Sequence, residues 1–165
     1  MNTVLASHLQ RLVRYHGWAY GQLSESLLHL DDTQYRAANG LFFGSIHGPL
    51  NHLAVVDRLW LARVCGDAPP FARLDAVAED QLPALAAYLQ QGVAAWLAHI
   101  HPLDDAALMQ PLHYRNVKGE PYSKPLADVV LHLVNHGTHH RGQISAALTA
   151  LGQPAPVLDY LYYLP

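Results

Sequence analysis

Residues 126–144, LADVVLHLVNHGTHHRGQI, carry the clearest structural pattern in the chain. Apolar residues recur there every three or four positions, as they do on a helix with one buried face. Ser123 precedes the stretch as a candidate N-cap, Pro125 falls in the first turn, and Gly152 follows as a signal for the helix end. The pattern therefore predicts a long amphipathic helix, the fourth and last of the chain.

The same stretch contains three histidines at regular spacing. His132, His136 and His140 are each four residues from the next, so they rise along one face of the predicted helix. Side chains at this spacing lie about 5 to 6 Å apart at Cβ, and two imidazoles can then reach one ion about 2 Å from each. His139 points to a different face. The spacing therefore predicts two of the ligands of a metal site.

A metal site needs at least a third protein ligand, which in a bundle comes from a facing helix. His52 is the candidate, within GPLNHLAVVDRLWLA at residues 48–62. The apolar periodicity around it predicts a helix over residues 45–64, with Ser45 as N-cap and Gly66 as its end. An inward histidine in an apolar bundle needs a polar partner, so we expect His52 to complete the site.

Two further segments have helical periodicity, residues 2–30 and residues 82–100, the latter with Pro83 in its first turn. The connection between the third and fourth helices includes LHYRNVKGEPYS, which alternates around Lys118-Gly119 as a short β-hairpin would. Four amphipathic stripes predict an all-α four-helix bundle, and the long connections permit crossover topology. We expect one domain over residues 1–165.

Composition excludes several classes of protein. The 165 residues carry a formal net charge of −3 without any run of Lys or Arg, so no nucleic acid is expected as partner. No apolar stretch is long enough to span a membrane and the start lacks a signal-peptide pattern, so we expect a cytoplasmic protein. Cys65 is the single cysteine, which leaves the twelve histidines, roughly three times ordinary usage, to bind metal.

Two segments together resemble the DinB/YfiT-like family, LNHLAVVDRLWLA at 50–62 and NHGTHHRGQI at 135–144. The family pattern is a histidine, three residues, and a second histidine followed by Arg-Gly-Gln, matched here by His136 and His140. The first family ligand falls on His52, and Asp57 and Trp60 match the acidic and aromatic positions after it. The resemblance implies a crossover four-helix bundle, a homodimer, and a divalent zinc, nickel or iron ion on the three histidines.

Three histidines leave coordination positions open, as catalytic sites do. The resemblance implies a thiol-dependent transferase or isomerase that uses a low-molecular-weight thiol such as bacillithiol or mycothiol. A second hypothesis is a hydrolase with Asp57 or His132 as proton acceptor. A third is a non-enzymatic, metal-binding stress-response protein that dimerises. The structural alternatives are an ion pair of Asp57 with Arg58 or Arg63, and a bundle histidine His132 bonded to Asp128.

Other residues receive structural interpretations. We expect Arg141 to form an outward salt bridge and Cys65 to be a small core residue. Gly137 and Gly142 are expected to let the fourth helix approach its neighbours. The tryptophans are expected to anchor the core and the C-terminal tyrosines to cap the bundle or a dimer seam: Trp18, Trp60, Trp96, Tyr160, Tyr162 and Tyr163.

Overall fold

The computed structural model describes residues 3–164. Its long helices are α1 (Val4–Leu27), α3 (His47–Cys65), α4 (Leu82–Ile100) and α6 (Leu126–Ala150). The shorter elements are α2 (Asp32–Arg36), α5 (Asp105–Leu108), β1 (Pro111–Arg115), β2 (Pro121–Pro125) and α7 (Tyr160–Tyr163). The predicted four-helix bundle and β-hairpin are both confirmed.

The four long helices are connected by crossover. Helices α1 and α3 each pack along both α4 and α6, so α1 and α3 lie on one diagonal of the bundle although they are consecutive long helices. The connection from residue 28 to residue 46 is long enough to allow this placement, because it does not force an antiparallel hairpin. The predicted crossover topology is therefore present.

The ends of α3 and α4 follow local signals closely. Gly66 ends α3 with a positive φ of 75°, and the N–H of Asp67 then donates to the carbonyl of Ala62. Helix α4 occupies the predicted residues, with proline in its first turn. The start of α3 differs from the prediction: Ile46 is its N-cap, and Ser45 lies one residue outside.

The start of α6 also differs, because Ser123 belongs to a strand. Ser123 pairs with His113 of β1 in the antiparallel sheet, so it is a strand residue and does not cap a helix. Pro125 ends the strand with extended φ and ψ of −52° and 140°, and α6 begins at the next residue. The hairpin turn uses Gly119 with φ of 81°, as predicted for Lys118-Gly119.

Helix α1 runs from Val4 to Leu27 and so ends three residues before the predicted end at residue 30. The predicted start at residue 2 lies outside the described residues. The following polar segment contains α2, which the sequence interpretation missed. Asp31 caps it and Gln34 completes a capping box, a signal that was present in the sequence.

One continuous hydrophobic core runs between the four helices. Each helix contributes fully buried leucines, including Leu23, Leu50, Leu85 and Leu133. Burial of one such side chain stabilises the fold by about 1.5–3 kcal/mol. Within residues 3–164, no helix combines the length and apolar character needed to cross a lipid bilayer.

The tryptophans, Cys65 and Tyr160 differ in how deeply they are buried. Trp96 is a core residue, whereas Trp18 and Trp60 are partly buried at its edge. Cys65 is exposed, so its assignment to the core was wrong; it lies in the last turn of α3, with Sγ 3.8 Å from His99 Nδ1. Tyr160 packs against Tyr15 with ring centroids 5.2 Å apart, and so covers one side of the bundle.

Candidate metal centre

The three predicted ligands meet between two helices. His52 projects from α3, and His136 and His140 project from successive turns of α6. The Nε2 atoms of His52 and His136 lie 3.3 Å apart. The ring centroid of His140 is 4.7 Å from that of His52 and 4.6 Å from that of His136. The three candidate ligand nitrogens all lie within 4.8 Å of one another.

Neighbouring acceptors orient two of these rings. Nδ1–H of His52 donates to the carbonyl oxygen of Leu74 at 2.8 Å, and Nδ1–H of His140 donates to Oε1 of Gln143 at 2.8 Å. The amide nitrogen of Gln143 in turn lies 3.2 Å from His139 Nε2, which fixes the orientation of the amide. Both rings therefore keep their Nε2 lone pair for the shared centre.

Burial keeps the three rings neutral. It lowers the pKa of both His52 and His140 below the ordinary value for histidine. The effect is largest for His136, where burial and then the adjacent histidines lower the pKa to about 3. At neutral pH all three imidazoles are therefore unprotonated on one nitrogen, as metal ligation requires.

The donor set fits a single divalent ion. Bonds of about 2.0–2.1 Å in a tetrahedral site place two nitrogens about 3.3 Å apart, which is the His52–His136 separation. The ligand nitrogen of His140 lies within 4.8 Å of the other two, so a small side-chain adjustment would let it reach the same ion. Nδ1 of His136 is buried and has no hydrogen-bond partner among residues 3–164, so no contact at this nitrogen fixes the ring. Zinc, nickel and iron all accept imidazole ligands of this kind.

A cleft of about 430 Å³ gives access to two of the histidines, His52 and His140. Its walls are Phe42, Phe43, Leu74 and Asp75, together with His52 and His140. Phe43 stacks on His52 with ring centroids 4.2 Å apart. The sequence interpretation missed these wall residues, because they lie in loops without periodicity. It also gave no role to Gln143, although that residue is part of the family pattern.

His132, a predicted catalytic residue, lies beside the three histidines and outside their cluster. Its ring centroid is 5.8 Å from that of His136 and 5.5 Å from that of Trp60. Asp128 lines the same small cavity, yet no hydrogen bond to His132 occurs within the described residues, so that structural alternative was wrong. Partial burial lowers the pKa of His132, which leaves it neutral and able to accept a proton at neutral pH.

Asp57, the other predicted catalytic residue, is 2% exposed and lies inside the bundle. Its Oδ2 accepts hydrogen bonds from His16 Nε2 at 3.2 Å and from the Tyr20 hydroxyl at 3.0 Å. The expected surface ion pair with Arg58 or Arg63 was therefore wrong. His16 and Asp57 are 41 positions apart and lie on different helices. The apolar periodicity of α1 and α3 therefore could not predict their contact.

Arg141 also lies inside the bundle and is 1% exposed, so the expected outward salt bridge was wrong. Its Nη1 donates to His16 Nδ1 at 2.8 Å, and His16 thereby links the guanidinium to the Asp57 carboxylate. Such a paired arrangement makes burial of both charges tolerable. Trp96 Nε1 donates to the Asp57 carbonyl at 3.2 Å, so the network reaches all four long helices.

Gly137 makes room for this network. A Cβ at this position would overlap the His16 ring and Arg141 Nη1, so the predicted close approach is confirmed there. At Gly142 a Cβ would have open space, so the same expectation was wrong for that glycine. The face of α6 that carries Gly137 packs on α1, while His136 and His140 face α3.

Comparison with known proteins agrees with this architecture. Protein DinB of Bacillus subtilis (strain 168) is 26% identical, over 93% of this chain and 92% of that protein. YfiT from Bacillus subtilis, described as a probable metal-dependent hydrolase with an unusual four-helix bundle topology, superposes with a TM-score of 0.69 at 15% identity, covering 88% of each chain. A DinB-like protein from Bacillus cereus ATCC 10987 gives a TM-score of 0.66 at 16% identity, covering 88% of this chain and 94% of that one. The DinB family model matches residues 1–165, and the chain therefore belongs to the DinB family.

Proposed function

We propose that this protein binds one divalent metal ion through His52, His136 and His140 and is a metal-dependent enzyme. The observation that carries the proposal is the convergence of three neutral imidazoles, two of which, His52 and His140, line an accessible cleft. A closed structural site would enclose the ion with a fourth protein ligand. Within residues 3–164, the group of converging ligands contains three side chains. The description of YfiT as a probable metal-dependent hydrolase supports the same class.

The residues around the site have separate tasks in this proposal. A bound divalent ion supplies a Lewis acid that lowers the pKa of a thiol or a water molecule. Leu74 and Gln143 hold the histidine rings with their lone pairs toward the centre. Phe43 stacks on His52 and gives the site an apolar face, whereas Phe42 is 87% exposed to solvent.

We favour thiol transfer as the reaction. A free thiol has a pKa of about 8.5, so it needs only modest help to lose its proton near pH 7. The thiol sulfur would form a bond to the electrophilic carbon of the substrate, the leaving group would depart with its electron pair, and the thiol proton would pass to solvent. The apolar wall of the cleft is compatible with an organic substrate. A low-molecular-weight thiol is the co-substrate that the family resemblance implies.

Hydrolysis is the second candidate, supported by the description of YfiT. It needs a proton acceptor within reach of a water molecule in the cleft. Asp75 lines the cleft, and His132 lies next to His136. The burial of Asp57 supports an orienting role in the helix core for this residue, and so His132 is the better of the two predicted acceptors. A non-enzymatic protein is the outcome if neither reaction occurs.

The activity test uses protein purified without a histidine tag and loaded with zinc, nickel or iron in turn. Bacillithiol, mycothiol, glutathione and cysteine are each mixed with 1-chloro-2,4-dinitrobenzene, and conjugation is followed by absorbance. We expect acceleration with at least one thiol and none with His136→Ala. Rates equal to those of the metal alone, for every thiol, would overturn thiol transfer. Cleavage of p-nitrophenyl acetate by the metal-loaded wild type, and not by His136→Ala, would favour hydrolysis.

The family resemblance also supports a homodimer in the cytoplasm and a stress response as context. Light scattering of the purified protein tests the dimer directly. A mass near twice the 18.2 kDa of one chain is expected, and a mass of one chain would contradict it.

A further inference from the structure

A second cavity, of about 320 Å³, shares the lining residue Leu74 with the metal cleft. Helix α3, the segment from residue 67 to residue 74, and the tip of the hairpin enclose it. Its volume falls in the range of about 300–1,000 Å³ that is typical of small-molecule sites. Leu74 lines both cavities, and its carbonyl oxygen accepts the hydrogen bond from His52. The second cavity is therefore a direct neighbour of the metal centre.

Arg63 is the distinctive group in the wall of this cavity. Its guanidinium Cζ lies 4.5 Å from the ring centroid of Trp60 and 5.3 Å from that of Tyr114. It forms no ion pair with any residue between 3 and 164. Partial burial lowers the pKa of Arg63 below the ordinary value for arginine. The two aromatic faces hold a cation that lacks a counter-ion.

The rest of the wall is apolar below and positive at the rim. The apolar part includes Val55, Leu59, Ala62, Pro69, Phe71 and Leu74. Arg115 and Arg73 add positive charge, although Arg73 is already paired with Asp75. Asp67 is the acidic residue of the wall, so the two arginines that form no ion pair within residues 3–164, Arg63 and Arg115, outnumber one carboxylate. The cavity thus offers an apolar surface next to a net positive charge.

We propose that this cavity binds a small organic carboxylate, with the carboxylate on Arg63 and the apolar body against Leu59 and Phe71. A planar guanidinium matches a carboxylate in two parallel hydrogen bonds, which a single positive point charge does not. The ligand carboxylate would act as the counter-ion of Arg63, which forms no ion pair within the described part of the chain. The further claim that this carboxylate is the substrate of the metal centre rests on the proposed function. Binding of the carboxylate in this cavity is independent of the proposed function.

The test is calorimetric titration of metal-free protein with 4-phenylbutanoate and, separately, with its uncharged amide. Saturable binding of the carboxylate and at least tenfold weaker binding of the amide are expected. Arg63→Gln should weaken carboxylate binding by about 10- to 100-fold, because a charge-assisted hydrogen bond is lost. The matched control is Arg73→Gln at the rim, for which a change of less than about threefold is expected, since Asp75 already neutralises this residue.

Circular dichroism would check that Arg63→Gln is folded. The affinity of Arg63→Lys for the carboxylate is a second measurement, because this variant keeps the positive charge. Arg63→Lys should bind between the wild type and Arg63→Gln. Absence of binding by the metal-free wild type, or equal affinities of wild type and Arg63→Gln, would overturn the proposal. A metal-loaded protein that binds the carboxylate yet catalyses nothing would instead contradict the proposed function. The two failures are thereby distinguishable.

Discussion

The Nε2 atoms of His52 and His136 lie 3.3 Å apart, although 84 residues separate them in the chain. Two ring nitrogens at this distance share either a proton or a cation. Leu74 accepts the Nδ1–H of His52, so without metal the shared proton belongs to His136. His136 Nδ1 is then a buried acceptor without a partner. The pair is arranged for a cation, and His140 lies close enough to complete its coordination.

Loss of the Gln143 side-chain acceptor should weaken metal binding without breaking the site. Gln143→Leu removes the group that orients His140, and contacts of this kind change metal affinity by about 10- to 100-fold. The zinc dissociation constant, measured by competition with a chromophoric chelator, provides the value. Gln91→Leu is the matched control, because Gln91 is an exposed glutamine on α4. Equal affinities for wild type and Gln143→Leu would show that the hydrogen bond has no orienting role.

Two glycines of α6 should respond in opposite ways to an added methyl group. Gly137→Ala places a Cβ against the His16 ring, and overpacking of this kind costs about 1–3 kcal/mol. Gly142→Ala meets open space and should stabilise the helix by up to about 1 kcal/mol. Melting temperatures test both, at about 2–4 °C per kcal/mol. A neutral Gly137→Ala would contradict the close packing of α1 on α6.

The fold could be predicted from the sequence where local signals decided the outcome. Pro83 and Gly66 fixed helix ends correctly, because the constraint lies within the residue itself. Ser45 and Ser123 carry a plausible capping signal but cap no helix. For Ser123 the pairing with His113 decides, and strand pairing joins residues that no local pattern relates.

In the candidate site, too, local signals could be read from the sequence and contacts between distant residues could not. The four-residue spacing of His136 and His140 is a property of one helix, and it could be read directly. The position of Leu74 opposite His52 depends on how a loop folds back, and the loop has no periodicity. Arg141 was assigned to the surface because its charge suggested solvent, and for Asp57, a predicted proton acceptor, the structural alternative was likewise a surface ion pair. Their partner, His16, is revealed only by the packing of α1 between the other helices.

The metal-free protein should lose stability as the pH falls below about 6.5. Burial lowers the pKa of His16 in the folded state, so below the unfolded value of about 6.5 the unfolded chain binds the extra proton. Stability then decreases with falling pH, by up to about 1.4 kcal/mol per pH unit for this group, until the pH reaches the folded pKa. Urea unfolding between pH 7.5 and pH 4.5 measures the slope.

His16→Gln is the variant for this measurement, since glutamine keeps a donor and an acceptor between Arg141 and Asp57. It should have a shallower dependence on pH than the wild type. Part of the slope should remain, because burial also lowers the pKa of other histidines, including His136. Parallel curves for the two proteins would show that His16 takes up its proton in the folded state as readily as in the unfolded chain.

The metal content of protein purified without an affinity tag tests the central claim most directly. Elemental analysis should find about one divalent ion per chain in the wild type and in His132→Ala, whose histidine lies outside the cluster. His136→Ala should retain less than about a tenth of that amount, because two ligands remain. Equal metal content in wild type and His136→Ala would contradict a shared site on His52, His136 and His140.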